Sequence, residues 1–146
     1  MMGPNGANAP DAATQILLAD GSTPISGISD TGTGGQSTCF LNTTGTVRCW
    51  GENSSGQAGG NAPGDTSPDA TTGLFDVQGL SGVVQLSGGV YFACARHNLG
   101  SVSCWGALGA TSTAQPVTIA GITDALAIRT GKSVSCARRA TGDVVC

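Results

Sequence analysis

The sequence predicts an all-β protein of short antiparallel strands, and three observations lead to that fold class. The chain has 24 glycines among its 146 residues and is rich in valine, threonine and serine, a composition that favours strands and turns over long helices. A frame with two cysteines ten positions apart occurs three times. The chain is 39% hydrophobic and only 10% charged, which is typical of a folded domain rather than a disordered segment.

The repeated frame predicts a hairpin of two strands around a three-residue turn. In the first copy the turn covers residues 43–45, and Gly45 stands where a positive φ is needed. Counting back from this turn sets Leu41 opposite Val47 and Cys39 opposite Cys49. Directly opposed cysteines on a non-hydrogen-bonded rung of a hairpin are close enough to form a disulfide.

The same count applies to all three copies and predicts one cross-strand disulfide in each. The expected pairs are Cys39 with Cys49, Cys94 with Cys104, and Cys136 with Cys146. A zinc site is the weaker alternative. Zinc-binding cysteines usually stand about two to four residues apart or are joined by histidines, and His97 is the single histidine of the chain.

Self-similarity extends upstream of the hairpins, since residues 77–104 align with residues 119–146 without a gap and are identical at 8 of 28 positions. Repeats of this size are typical of stacked blades or coils that cannot bury a core alone. The units predicted from the repeats are a tail or degenerate linker over 1–22, a degenerate first unit over 23–59, a second over 74–106 and a truncated third over 116–146.

Two of these units depart from the common pattern. In the first, the polar run Asp30-Thr31-Gly32-Thr33 replaces the apolar strand before Gly34, so we expect its leading strand to be short or absent. The third stops at Cys146, where both earlier copies continue into Trp-Gly. We therefore expect the sequence to be a piece of a longer protein.

Charge gives no reason to expect nucleic acid as a partner. The net charge is −3 and the isoelectric point is near 4.7, whereas proteins that bind nucleic acid carry basic patches. Residues 1–94 hold seven acids and one base, while residues 95–146 hold two acids and five bases. We interpret this asymmetry as solvated faces.

Catalysis, metals and cofactors are not predicted either. His97 lies beside a hairpin turn, where a solvent-exposed role is expected, and the nine acids are scattered singly. No apolar stretch reaches the length of a membrane span. Three disulfides predict an oxidising location, extracellular or at the cell surface, although the N-terminus has no signal peptide.

The pattern Gly-x4-Cys-Ala-x4-Gly-x-Val-x-Cys-Trp-Gly-x-Asn-x2-Gly-Gln-x-Gly, drawn from the first two copies, resembles the regulator of chromosome condensation repeat family, and in particular its bacterial, cysteine-paired members. The similarity covers residues 24–146. It implies a β-propeller of four-stranded blades, which for this length means an open, partial propeller of two to three blades. In the second copy Gly106-Ala107-Leu108-Gly109 replaces the asparagine and glutamine box.

The repeat pattern assigns structural roles to its glycine, tryptophan and glutamine positions. Trp50 and Trp105 are expected to pack between blades, with ligand stacking as the less favoured alternative. The complete set of structural positions is Gly34, Gly45, Trp50, Gly51, Gly56, Gln57, Gly89, Gly100, Trp105, Gly106, Gly131 and Gly142.

We interpret the chain as a non-catalytic binding or scaffold module for an unknown protein or a glycan, with loops 52–73 and 106–115 as the contact region. The alternatives are a hydrolase or lyase that uses the propeller channel and an inhibitor of a secreted enzyme, as in β-lactamase-inhibiting members of the family. No residue specific to nucleotide exchange can be matched. Both outer blade faces are expected to be uncovered and to drive self-association. The predicted faces comprise Val84, Leu86, Val102, Leu126, Ile128 and Val144.

Overall fold

The computed structural model describes residues 15–66 and 73–146, and within these residues eleven strands form three antiparallel sheets. The first sheet contains β1 (Ile28–Thr33), β2 (Ser37–Asn42), β3 (Val47–Gly51) and β4 (Phe75–Asp76) in that order. The second contains β5 (Val83–Gly88), β6 (Phe92–His97), β7 (Val102–Leu108) and β8 (Thr111–Thr118). The third contains β9 (Ala125–Thr130), β10 (Ser135–Arg139) and β11 (Val144–Val145). The predicted all-β class is confirmed.

The central hairpin of each sheet has the register that the cysteine spacing predicts. Leu41 pairs with Val47 and Cys39 with Cys49, and the turn is closed by a hydrogen bond from the Asn42 amide to the Thr46 carbonyl oxygen of 3.0 Å. Gly45 has a φ of 87°. The disulfide-closed hairpins are confirmed, with bridges 39–49, 94–104 and 136–146 and Cα separations of 4.0, 4.1 and 4.0 Å.

The prediction of a short or absent leading strand in the first unit was wrong. β1 is six residues long and pairs with β2 from Ile28 opposite Asn42 to Thr33 opposite Thr38. Main-chain hydrogen bonds to β2 hold β1 in place, and such bonds form whether or not the strand has apolar side chains. Its small and polar residues suit the next sheet, because Gly32 is buried and a Cβ there would lie 2.9 Å from the Cβ of Leu86.

The sheets are offset from the predicted sequence units by one strand. Phe75 of β4 pairs with Cys49 of β3 and so belongs to the first sheet. The repeats in the sequence placed Phe75 in the second unit, 74–106. Val117 of β8 likewise pairs with Cys104 of β7, although it lies in the unit 116–146. The last strand of each four-stranded sheet thus returns to the preceding hairpin after the variable connection.

Two apolar clusters join consecutive sheets. Between the first and second sheets, Val47 and Val77 pack with Leu86 and Trp105. Between the second and third, Phe92, Val102 and Ile128 form the centre of the contact. Stacking of the sheets therefore supplies the core.

Two of the six residues predicted to line the stacking faces point elsewhere. Val84 and Leu126 are 44% and 49% exposed, because β-bulges interrupt the register beside them, between Val83 and Gln85 and opposite Arg138 and Arg139. Leu86, Val102 and Ile128 are buried, and Val144 is 62% exposed.

Candidate binding surfaces

Trp105 occupies the contact between the first and second sheets. It is fully buried, and its indole Nε1–H donates a hydrogen bond of 3.1 Å to the carbonyl oxygen of Gln57. The ring belongs to the second sheet, and its acceptor belongs to the connection between β3 and β4 of the first sheet. The side chain therefore joins two sheets and offers no face to a ligand.

The prediction that Trp50 packs between two blades was wrong, because Trp50 lies on the outer side of the first sheet, among residues of that sheet and the segments beside it. It stacks on Phe40 with ring centroids 4.4 Å apart, and the cluster also includes Leu74 with the half-buried Leu18 and Ile25. The prediction that both outer faces are uncovered was wrong for this face, because chain preceding β1 covers it. The predicted tail over 1–22 lies within the described residues only from residue 15.

The covering segment is held by a polar turn. Leu17 pairs with Pro24 in an isolated bridge, and the Asp20 carboxylate accepts hydrogen bonds from the Thr23 and Ser22 amides of 2.8 and 2.9 Å. The Thr23 hydroxyl donates to the same carboxylate. These bonds, led by that of the Thr23 hydroxyl, lower the pKa of Asp20 to about 2.

The Gly-Gln box after the first hairpin forms an internal turn. Gln57 is fully buried, its Oε1 accepts the Ser55 amide at 2.9 Å, and its Nε2 donates to the Glu52 carboxylate. The buried Asn53 donates from Nδ2 to the carbonyl oxygens of Gly59 and Asp65, at 3.0 and 3.1 Å. These side chains hold the connection together and are not free to bind a ligand.

Polar side chains at one repeated position bind each sheet to the next, which the sequence reasoning missed. Asp30 accepts the Leu86 amide through Oδ2 at 2.6 Å. Gln85 is the repeat equivalent of Asp30. Its Oε1 accepts the Ile128 amide at 3.0 Å, and its Nε2 donates to the Ile128 carbonyl oxygen at 3.1 Å. Leu86 and Ile128 are 42 residues apart, the repeat spacing, so the two contacts are equivalent. The sequence signal for these contacts was the presence of a polar residue at the same repeat position in the first two copies, Asp30 and Gln85.

His97 is anchored on both ring nitrogens. Nδ1 lies 2.6 Å from the Ser81 carbonyl oxygen and Nε2 lies 3.0 Å from the Ser103 hydroxyl. These two contacts fix the His97 side chain beside the turn. It is therefore not the freely exposed side chain that the sequence led us to expect. In the described residues no group of three or more histidine, cysteine or acidic side chains could hold a metal ion.

The predicted contact loops are only partly loops. The prediction for 106–115 was wrong, because β7 continues to Leu108 and β8 begins at Thr111, so this stretch is a hairpin with a two-residue turn. Residues 52–66 form a series of turns. Residues 67–72 of the other predicted loop lie outside the described part of the chain.

Exposed apolar side chains gather at the end of the sheets that carries the disulfide-hairpin turns 43–45, 98–100 and 140–142, here called the tip end. Leu99, within the second turn, is 86% exposed. Val84 and Leu126 lie at the same end, because their neighbours Val83 and Ala125 pair with His97 and Arg139, which lead into the turns. The Arg139 guanidinium is 2.7 Å from the Asp124 carboxylate, and this hydrogen-bonded ion pair raises the pKa of Arg139.

Small antiparallel sheets that stack on one another in chain order are typical of a β-propeller, and the three sheets are blades of a partial propeller. Residues 28–57 match the family model of the regulator of chromosome condensation (RCC1) repeat, which confirms the resemblance read from the sequence. No curated protein has significant sequence similarity to the chain.

Solved propellers share this fold. A structure of Kap60 bound to yeast RCC1 (Prp20) matches with a TM-score of 0.66 at 14% identity, over 84% of this chain and 33% of that one. Prp20p from Saccharomyces cerevisiae, studied with Gsp1p and histones, matches with 0.66 at 15% identity, over 81% and 32%. Human WBSCR16 matches with 0.67 at 20% identity, over 84% and 36%. The chain spans about a third of the length of these proteins and has the fold of an RCC1-like propeller repeat module.

No helix in residues 15–66 or 73–146 is long and apolar enough to cross a membrane. The three disulfides suit an oxidising environment.

Proposed function

We propose that this module is a non-catalytic binding platform that docks a protein partner at its tip end. Leu99 carries the proposal, since a leucine that is 86% exposed at the apex of a rigid, disulfide-closed hairpin gains free energy when a partner covers it. The equivalent turn positions in the other two hairpins are Thr44 and Thr141. The hairpin geometry therefore does not require leucine at this place.

The neighbouring groups support docking of a protein. Val84 and Leu126 add exposed apolar surface at the same end, and Arg139 with Asp124 provides charged groups beside it. An apolar centre with a polar surround is the usual arrangement of a protein interface. The three disulfides further support an extracellular or cell-surface site of action.

The rival function is a hydrolase or lyase. A general base needs a free nitrogen or a tuned carboxylate near a substrate, whereas both His97 nitrogens already have partners. We expect no turnover of generic glycoside, ester or peptide substrates above the rate of a heat-unfolded control. Turnover that survives purification would support the enzyme instead.

The substitution Leu99→Thr tests the binding function, because it gives the second turn the residue of its two counterparts. Proteins captured from the extracellular fraction of the source cells by photo-crosslinking at residue 98 should be lost with Leu99→Thr and kept with the control Thr141→Ser. Unfolding midpoints of both variants should equal that of the parent. Capture that Leu99→Thr leaves unchanged would contradict docking at the tip end.

A further inference from the structure

A polar groove of about 330 Å³ runs along the first strands of the three blades, and its volume is within the range of small-ligand sites, about 300–1,000 Å³. It is lined by residues 30–33 of β1, 85–88 of β5 and 129–130 of β9. Each of these strands lies at one edge of its sheet. Val84, Leu99 and Leu126 do not line this groove, here called the inner groove, so it is separate from the tip end.

Hydrogen bonds between neighbouring blades fix the three strands along the inner groove. The Ser87 hydroxyl accepts the Thr130 amide at 3.0 Å and lies 2.8 Å from the Thr130 hydroxyl. The contacts of Asp30 with β5 and of Gln85 with β9, described above, lie in the same groove. The wall of the groove is therefore already formed, and a ligand need not order it.

The inner groove has opposite charges on the two sides of β5. On the side of the first blade, the half-buried Asp30 uses Oδ2 to accept the Leu86 amide, and its second carboxylate oxygen remains an acceptor. On the side of the third blade, the Arg129 guanidinium donates from Nη1 to the Ile128 carbonyl oxygen at 2.8 Å. Gln85, which lines the groove, donates to the same oxygen, so the guanidinium lies beside the groove and has further N–H donors.

These two charges determine which ligands the groove can hold. A simple anion would be attracted by Arg129 but repelled by Asp30, and a simple cation would meet the reverse. A zwitterion with a carboxylate at one end and an ammonium group at the other would pair with both. Among the described residues that line the groove, Leu86 is the single one with an apolar side chain, and it is buried against the first blade. The groove therefore favours a ligand without a large apolar group.

We propose that the inner groove is a binding site for a small zwitterion, either a free amino acid or a short peptide with both ends unblocked. Arg129 binds the carboxylate of the ligand, and Asp30 binds its ammonium group. The ligand thus lies across β5, from the third blade to the first. This site acts independently of the protein partner proposed for the tip end.

Titration with glycine, diglycine and triglycine, followed through the NMR amide signals of Gly88 and Thr130, tests the proposal. We expect saturable shifts with at least one of these ligands, and its length distinguishes an amino acid from a peptide. Binding should be at least about tenfold weaker when the same ligand has an acetylated amino end or an amidated carboxyl end. No shifts at millimolar concentration of any of the three, or undiminished binding of either blocked form, would overturn the proposal.

Two substitutions that remove one charge each provide a second measurement. Asp30→Asn retains an oxygen that can accept the Leu86 amide, and Arg129→Gln changes an exposed side chain, so both variants should keep the dispersed NMR spectrum of the parent. Each should bind the ligand at least about tenfold more weakly. The control Arg138→Gln, at an exposed arginine outside the groove, should leave binding unchanged. If Arg129→Gln binds the ligand as tightly as the parent, the ligand occupies another site and the proposal fails.

Discussion

Gly100 shows how a single residue can be required by contact between blades as well as by backbone conformation. Its φ is 90°, and a Cβ there would lie 2.7 Å from the Thr123 carbonyl oxygen and 2.8 Å from the Cα of Asp124, in the chain entering the third blade. Gly45 and Gly142 have similar φ values of 87° and 94°, yet a Cβ at either would meet no atom within 4 Å. The three hairpins thus provide a matched comparison.

We expect Gly45→Ala and Gly142→Ala to lower the free energy of unfolding by about 1–3 kcal/mol, the cost of a positive φ for a residue with a Cβ. Gly100→Ala should cost at least about 1 kcal/mol more, since main-chain atoms must move. Chemical denaturation without reductant measures all three variants. Equal losses would show that the hairpin and the next blade are not in contact.

Substitution of Trp105 separates packing from hydrogen bonding at the first blade contact. Trp105→Ala should reduce stability by about 3–5 kcal/mol, as expected for a large truncation in a core. Trp105→Phe keeps most of the apolar volume but leaves the Gln57 carbonyl oxygen without its donor, which should cost about 1–3 kcal/mol. A loss below about 1 kcal/mol for Trp105→Ala in denaturant unfolding would indicate an exposed ring.

At the scale of strands, the Gln85 side chain hydrogen-bonds β5 of the second blade to the main chain of β9 in the third blade. It satisfies both the amide and the carbonyl of Ile128, which is 1% exposed. Gln85→Ala would leave the Ile128 amide unpaired, while the Ile128 carbonyl oxygen would keep its hydrogen bond of 2.8 Å from the Arg129 guanidinium. We expect a loss of about 1–3 kcal/mol in stability.

The exposed ion pair between Arg48 and Asp76, at 2.8 Å, provides a control for the Gln85 substitution. Arg48→Gln should cost less than about 1 kcal/mol, because solvent screens the pair. Both variants can be measured by denaturant unfolding. A Gln85→Ala variant no less stable than Arg48→Gln would contradict the role assigned to this side chain.

The sequence predicts the hairpins well because the information is local. Spacing between Cys39 and Cys49, with a glycine at position 45, determines which residues face each other. The strand β1 was not predicted, because the run from Asp30 to Thr33 has no apolar pattern and is held by pairing with β2. Hydrophobic periodicity gives no signal for a strand of this kind.

The sequence predicted that the blades pack against each other, but it did not predict which polar side chains connect them. Trp105 could be assigned to a blade contact from its repeat position. The roles of Asp30 and Gln85 depend on which amide of the neighbouring blade lies within reach, and that distance is not encoded by spacing along one strand. Coverage of Trp50 by Leu18 and Ile25 likewise depends on tertiary packing.

At the scale of the whole molecule, the outer face of the third blade is left open by the residues that the structure describes. Val47, Val102 and Val144 occupy equivalent positions, and the first two are 2% and 3% exposed beneath a following blade, whereas Val144 is 62% exposed. A propeller covers all its faces only when about four or more blades close a ring. An uncovered apolar face favours association.

Because the face of the first blade is covered by the segment containing Leu18 and Ile25, we expect self-association to stop at a dimer. Light scattering after size exclusion should give a mass that rises towards twice 14.3 kDa with concentration. Val144→Lys should shift the chain to the monomer, and the control Val134→Lys, at a turn outside this face, should not. A parent that stays monomeric at high concentration would contradict the prediction.

The central claim is that the chain is a series of three blades, each closed by its own disulfide. Trypsin tests it directly, because at least one arginine lies between the two cysteines of each expected pair. These arginines are Arg48 in the first hairpin, Arg96 in the second, and Arg138 and Arg139 in the third. Cleavage at Glu52 or Asp76 with a second protease separates Cys49 from Cys94. Mass spectrometry of the unreduced digest should find links only between 39 and 49, 94 and 104, and 136 and 146. A link between cysteines of different hairpins would contradict the blade register on which the account rests.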